Sequence, residues 1–379
     1  MGFPMKVLII SVTCGQGHNS TARAILKQLE ANGIECTVLD AFEHINRILA
    51  KALDDGYQLS TKYISKPYAS FYKLAEHRKK NAEDTSSVKV VNTLLASKLR
   101  RYIEDYNPDV IVTTHCFAAA MVDILKEKKI IHSVNIGIVT DFTAHPFWEE
   151  SIHFDYIVTP SELLNLQLIR KGFTAEKILP FGIPIDPKFA VETTTKEKAR
   201  EELGLLPDKL TILVMSGSMG FGNIRSVVAK LDMLPTDFQA IVVCGNNAEA
   251  KVEIDSMRKT KTFLTFGYVN NVDYLMTAAD CIVTKPGGLT SSEALAKRLP
   301  MIIVNPIPGQ EDRNTEFLLN SGAAMAASET CPVDEVIYQF LQNTKRRELM
   351  KESIDFLRHP ESTKTLCDFI AKVGNKDRN

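Results

Sequence analysis

Short apolar runs alternate with longer stretches of helical spacing along most of the chain. Lys6-Val7-Leu8-Ile9-Ile10-Ser11-Val12 is continuous and β-prone, as a strand buried on both faces requires. Asn19 or Ser20 can cap a helix running to about Asn32, and Glu35–Leu39 reads as a second strand ending at Asp40. Leu49–Tyr63 has helical character, and Val88, Val91, Leu95, Leu99 and Tyr102 form the stripe of an amphipathic helix ending near Tyr106. Strands are then predicted at Asp109–Thr114, Ser133–Thr140 and Asp155–Thr159, with helices from Ala118 to about Lys126 and from Ser161 to Lys171. Val191–Lys198 is uniformly polar and reads as a linker. The alternation restarts after it, with strands at Leu210–Met215, Phe238–Cys244, Thr262–Phe266, Asp280–Thr284 and Met301–Val304, and a helical tail over Val333–Val373. Two such series predict an α/β protein of two domains, each built on a parallel sheet.

Glycines cluster where strands give way to helices. A helix start leaves backbone N–H groups without partners and carries the positive end of the helix dipole, so a glycine turn there attracts phosphate. Lys285-Pro286-Gly287-Gly288-Leu289-Thr290-Ser291-Ser292-Glu293 is one such turn, and Gly217-Ser218-Met219-Gly220 is a second anion cradle by the same argument. After Met301–Val304 come Pro306, Pro308 and Gly309, then Gln310, Glu311, Asp312 and Asn314. Phosphate donors and hydroxyl-binding side chains would thus sit at neighbouring strand ends, as a nucleotide-sugar site needs. Thr290-Ser291-Ser292-Glu293 also fits a capping box with Thr290 as N-cap and Glu293 reaching back to it. The first turn, Gly15-Gln16-Gly17-His18 with Asp40 at the next strand end, resembles the start of a dinucleotide-binding unit. Ser20 stands where the third glycine of that motif would be, and a nicotinamide cofactor has no need of the imidazole.

Ligands of open parallel sheets bind at the carboxyl ends of strands. His18, His115, Asp141 and His145 all fall there. Histidine is the natural base at neutral pH, so His18 is a candidate to take a proton, with Asp141 orienting it or acting as the base itself. No Asp-x-Asp occurs, which argues against a metal-held diphosphate. No bound metal or other cofactor is expected.

Lys62–Lys80 holds six Lys or Arg against one Glu, in a chain whose formal net charge is −1. Tyr68, Phe71, Tyr72 and Ala75 recur at helical spacing there, flanked by Lys73, Arg78, Lys79 and Lys80. The segment reads either as a helix lying on an anionic membrane surface or as a core aromatic stripe beside a solvated charge run. No nucleic-acid module surrounds it, and nucleic acid is not an expected partner. The 379 residues hold 45% apolar and 24% charged positions, ordinary for a soluble globular protein. Seven scattered cysteines without a Cys-x-x-Cys pair suit buried reduced thiols in a cytosolic protein. No apolar run approaches the ~18 residues of a membrane span, and Met5–Val12 lacks the features of a signal peptide.

Lys285, Gly287, Gly288, Thr290 and Glu293, followed by Pro308, Gly309, Gln310, Glu311 and Asn314, resemble the C-terminal signature of family 28 glycosyltransferases. The likeness is to the monogalactosyldiacylglycerol synthase and processive diacylglycerol glucosyltransferase branch. Gly15, Gly17 and His18 match its first loop, and Asp141–Trp148 resembles its acceptor side; Pro286 and Thr13-Cys14 depart from it. The resemblance implies a GT-B fold: two Rossmann-like domains with parallel sheets facing across a cleft, over 1–190 and 191–355, and a helix at 356–379 returning to the first domain. It implies an inverting transfer of glucose or galactose from a UDP-sugar to 1,2-diacylglycerol, giving a β-glycoside, by a cytoplasmic protein attached to the inner face of the cell membrane. On the donor side it implicates Gly17, Lys285, Gly287, Gly288, Leu289, Thr290 and Ser291, the Gly217–Gly220 turn, and Phe266, Gly267, Tyr268 and Val269 at the uracil edge. Glu293 would take ribose hydroxyls, Gln310 and Glu311 the sugar, with Asn314 beside them. The resemblance places His145 and Trp148 on the acceptor and membrane side; on the membrane-surface reading of their charge and spacing, Tyr68, Phe71, Tyr72, Lys73, Arg78, Lys79 and Lys80 would join them. Transfer of UDP-GlcNAc to another lipid-linked acceptor, a UDP-sugar-binding regulator that needs no base, and a nicotinamide dehydrogenase are the alternatives.

Overall fold

The computed structural model describes residues 5–13, 16–45, 84–215 and 224–375, with side chains over 84–92 left aside. The chain divides into two compact units, one of residues 1–187, 308–310 and 361–379, the other of 188–307 and 311–360.

In the first unit the apolar runs become strands β1 (Lys6–Ser11), β2 (Glu35–Asp40), β3 (Val110–Thr113), β4 (Val134–Ile138), β5 (Tyr156–Val158) and β6 (Ile178–Leu179). All pair in parallel, in the order β2-β1-β3-β4-β5-β6. Side chains alternate across a strand, so β1 sends Val7 and Ile9 to one face and Leu8 and Ile10 to the other, all wholly buried. One face is covered by α1 (Gln16–Ala31) and, from the far end of the chain, by the helix Ser362–Gly374. A short α2 (Ala41–Ile45) follows β2, and α3 (Asp84–Tyr106) and α4 (Cys116–Glu127) cover the other face through Leu99, Ile103, Met121 and Val122. The stretch predicted as one helix over 161–171 is a 3-10 turn at Glu162–Leu164 capped by Ser161, then α5 (Asn165–Arg170). The predicted helix over 49–63 lies outside the described residues.

Trp148 corrects an expectation. The resemblance placed it toward the acceptor and membrane, but it is 3% exposed and packs in the core of this unit. It lies across β4 at Gly137, where an added Cβ would come within 2.7 Å of the indole. A glycine there is what admits the ring.

The second unit repeats the plan with β7 (Thr211–Met215), β8 (Gln239–Val243), β9 (Phe263–Phe266), β10 (Cys281–Thr284), β11 (Met301–Ile303) and β12 (Ala324–Ala326). These too are all parallel, ordered β12-β11-β10-β7-β8-β9. Helices α6 (Lys196–Glu202), α7 (Ile224–Asp232), α8 (Ala248–Ser256), α9 (Val272–Ala278), α10 (Gly288–Ala296) and α11 (Gln310–Asn320) intervene. The tail forms α12 (Val333–Gln342), α13 (Thr344–Leu357) and α14 (Ser362–Gly374). The polar linker is shorter than its composition implies, because Thr195 caps α6 and Lys196 already lies in it. That helix is anchored by Arg200, which is 4% exposed and gives its guanidinium to Asp280 at 2.6 Å and to the Ala278 carbonyl at 2.8 Å. A buried charge needs such partners to be tolerated.

Gly137→Ala should cost about 1–3 kcal/mol, since the rigid indole cannot yield the missing space. Urea unfolding checks this, and wild-type stability would mean that the ring has room to shift.

Candidate active site

Each sheet changes direction once, and the strand ends at that reversal are where ligands of such sheets bind. In the first unit the reversal lies between β1 and β3. His18 sits in the first turn of α1, the helix after β1, His115 comes two residues after β3, and Asp141 comes three residues after β4. The histidine–aspartate cluster therefore follows three adjacent strands.

Hydrogen bonds sort the three imidazoles. His18 Nδ1 lies 2.6 Å from the Thr114 carbonyl and 3.1 Å from Thr140 Oγ1. A carbonyl only accepts, so Nδ1 carries the proton and the neutral ring has its lone pair on Nε2. His115 and His145 take the opposite tautomer. His115 caps α4, its Nδ1 accepting the Phe117 N–H at 3.1 Å, and His145 caps the 3-10 turn Pro146–Ser151, accepting the Phe147 N–H at 3.2 Å. Their protons are thereby placed on Nε2. Of the three, His18 alone presents a basic Nε2.

Burial holds the His18 imidazole below its ordinary value, against the raising effect of the Asp141 carboxylate and then of the Thr114 carbonyl. His115 lies well below the usual range, through burial first and then the charge that His18 and His145 can carry. Gln310, which packs with the first unit, donates from Nε2 to the Asp141 carboxylate. The resemblance assigned Gln310 to sugar hydroxyls; in the structure its amide holds Asp141.

The turn ahead of His18 is braced by polar side chains. Ser11 Oγ donates to Asn19 at 2.7 Å, and Asn19 Nδ2 to Thr13 Oγ1 at 3.0 Å. Asp40 accepts the backbone N–H groups of Thr13 at 2.7 Å and of Glu43 at 2.9 Å. The acid that would bind ribose in a dinucleotide fold is thus spent on local structure. No described atom lies within 4 Å of where a Gly17 Cβ would be, and Gly15 lies outside the described residues.

In the second unit the reversal lies between β7 and β10. The turn after β7, with Gly217, Ser218, Met219 and Gly220, is outside the described residues. After β10 the chain enters α10 at Gly288, with Gly287 (φ −65°, ψ 140°) as an N-cap that has no side chain to offer the first-turn N–H groups. This overturns the capping-box reading: Thr290 lies inside the first turn and caps nothing. Ser291 Oγ is buried with no hydrogen-bond partner among the described residues, and Ser292 Oγ turns back to the Gly288 carbonyl at 2.9 Å. Lys285, Leu289, Thr290 and Glu293 are all half-buried around this helix start.

Gly309, with φ +103°, turns the chain into α11. Glu311 Oε2 accepts the Ile307 N–H at 2.6 Å, and its Oε1 lies 4.0 Å from where a Gly287 Cβ would be. Asn314 is another correction. It is wholly buried and donates to the Pro286 carbonyl at 2.9 Å, so it shapes the β10–α10 turn and cannot face a sugar. Phe266 ends β9, the edge strand, and Gly267, Tyr268 and Val269 follow it; Tyr268 is 65% exposed, and an added Cβ at Gly267 would lie 3.8 Å from the Gly245 carbonyl. Tyr68, Phe71, Tyr72, Lys73, Arg78, Lys79 and Lys80 fall outside the described residues. Among the described residues no group of three or more His, Cys, Asp or Glu is arranged to hold a metal ion, and no helix is long and apolar enough to cross a membrane. Sequence reasoning missed Thr114 and Thr140 as partners of His18, since a backbone carbonyl and a lone hydroxyl carry no motif.

Two parallel α/β units, each with its polar cluster at the sheet reversal, have the GT-B fold. A solved structure of Acinetobacter baumannii MurG shares this fold, with a TM-score of 0.66, 16% identity, and 97% of this chain and 100% of that one covered. Residues 18–185 match the family model described as monogalactosyldiacylglycerol (MGDG) synthase, and residues 211–365 match the glycosyltransferase family 28 C-terminal domain. A processive diacylglycerol beta-glucosyltransferase of Bacillus pumilus is 30% identical over 98% of this chain and 95% of its own length. One of Bacillus cytotoxicus is 27% identical over 99% and 95%. The chain belongs to this family of family 28, MGDG synthase-type proteins, and is a glycosyltransferase.

The two depressed imidazoles give stability a signed pH dependence. The unfolded chain takes up protons near pH ~6.5, whereas folded His18 and His115 resist them until lower pH. Their contribution is complete above that value and is lost as pH falls through the window below it. Urea unfolding at pH 7.5 and 5.5 should show a drop that shrinks when His115 is replaced by Asn; an equal drop in both would remove His115 from the account.

Proposed function

We propose that this glycosyltransferase moves glucose or galactose from a UDP-sugar to 1,2-diacylglycerol at a membrane surface, with inversion to a β-glycoside. The likeness to the Bacillus pumilus enzyme over nearly the whole chain supports the choice of substrates. The observation that carries the mechanism is the His18–Thr114 hydrogen bond, which puts a basic lone pair on Nε2. His18 Nε2 takes the proton of the acceptor hydroxyl as its oxygen attacks the anomeric carbon, and Asp141 stabilises the imidazolium that forms. The departing diphosphate is met by the first-turn N–H groups of α10, left open by Gly287, which supply preorganised stabilisation without a metal. Glu293 binds the ribose and Glu311 the sugar hydroxyls. The basic segment 62–80 draws the enzyme to anionic lipid on the cytoplasmic side of the membrane.

Incubation with radiolabelled UDP-glucose or UDP-galactose and diacylglycerol vesicles should send the label into lipid, faster when the vesicles carry anionic lipid. Label that stays with nucleotide would point to a regulator, and equal rates on uncharged vesicles would remove the role of 62–80. His18→Ala should lower kcat by roughly 10²–10⁴, with Asp141→Asn also impaired; near-normal turnover in both defeats the mechanism.

Gly287→Ser separates phosphate binding from helix stability. A serine N-cap offers its own oxygen to the first-turn N–H groups and changes stability by only about a few tenths of a kcal/mol. The KM for the UDP-sugar should rise several-fold with Tm unchanged or slightly higher. An unaltered KM would mean that the diphosphate binds elsewhere.

A further inference from the structure

The end of β3 meets His18 twice. The Thr114 carbonyl takes the Nδ1 proton, and the next side chain, His115, lies edge-on against the same ring, with centroids 4.5 Å apart and planes at 63°. His115 is itself held in place. It is 9% exposed, it caps α4 through the Phe117 N–H, and its ring packs on that of Phe117 with centroids 5.1 Å apart. We propose that His115 is a positioning residue for the transfer reaction: an imidazole locked by the start of α4 that fixes the orientation of the His18 ring without touching either substrate.

The need for a second contact is geometric. His18 follows Gly17, where no described atom lies within 4 Å of an added Cβ, and the terminal torsion of a histidine is broad and soft. The contacts to the Thr114 carbonyl and the Thr140 hydroxyl both meet Nδ1, so they hold one edge of the ring and leave the rest to swing; a neighbouring ring packed against it removes that freedom. The neighbour must also stay uncharged, or it would repel the proton that His18 is to accept. His115 meets that condition, being buried and flanked by His18 and His145. Among the described residues, the groups facing His18 are the Thr114 carbonyl, the Thr140 hydroxyl, His115 and the Asp141 carboxylate, and of these the carboxylate is the anion. The proton of the reaction is therefore directed to His18. Capping α4 would not in itself call for a histidine, since Asn or Ser performs that task at least as well.

The inference rests on the base role of His18, so its test has one readout that does not depend on turnover. His115→Asn keeps a capping side chain and removes the ring; His115→Phe keeps a ring and removes the cap. For His115→Asn, Tm should stay near wild type and the KM for UDP-glucose within about twofold, while kcat falls about 10- to 100-fold, the usual cost of a misplaced catalytic group. His115→Phe should lose Tm but retain more kcat than His115→Asn. The ring resonances of His18, followed by NMR, should show its titration moving up toward the ordinary imidazole value in His115→Asn. Wild-type kcat together with an unshifted His18 titration in His115→Asn would overturn the proposal. So would a loss of Tm alone, which would leave His115 as a cap only. A fully active His18→Ala would defeat the base reading, and the His18 titration would still decide whether His115 positions the ring.

Discussion

The bond from His18 Nδ1 to the Thr114 carbonyl depends on the order of three strands. β1 pairs with β2 on one side and with β3 on the other, so the chain must return across the sheet to bring residue 114 beside residue 18. The pairing of Ile10 with Thr113 sets the register. A slip of one residue would turn the alternation of β3 inside out and aim the neighbouring carbonyl instead. The tautomer of one side chain is thus decided by a pairing between segments about a hundred residues apart. With that single proton on Nδ1, the basic lone pair of His18 stands on Nε2.

The second unit handles its own reversal differently. Its first-turn N–H groups are left uncapped at Gly287, and the loop around them is held from behind, by Asn314 on the Pro286 carbonyl and by Glu311 on the Ile307 N–H. Stability of the helix start is given up where a polar N-cap would have been easy to supply. Such local concessions are expected where a surface must stay open for a ligand. Support from buried neighbours keeps the open loop in shape.

Most strands were readable because Val, Ile and Leu are concentrated in them, as in Val7–Ile10 and Ile282-Val283. β12 was not, because Ala324-Met325-Ala326 has neither branching nor alternation; it forms only because β11 offers an edge to pair with. The cluster of His18, His115 and Asp141 was legible as residues at strand ends, but which nitrogen holds a proton was not, since that depends on carbonyls and amide N–H groups common to every residue. Trp148 and Asn314 were misassigned for the same reason. Their motifs say where they stand in the chain, and only packing says which way they face. Thr290 failed in the other direction: its spacing to Glu293 satisfies a capping box, yet the helix begins two residues earlier at Gly288.

Helix α14 is the last of the described elements, yet it completes the first of the two units. Ser362 Oγ donates to the Ile183 carbonyl at 2.9 Å, Thr363 Oγ1 to that of Ile185 at 2.6 Å, and Leu366, Cys367 and Ile370 close over Ile9 and Ile25. A ribosome making this chain from its amino end would have released all of β1 to β6 long before that cover existed. Until then α1 alone would shield that side of the early sheet, and the apolar surface that α14 covers would face water, the kind of surface that invites aggregation or a chaperone. The unit holding His18 is begun before its companion and finished after it.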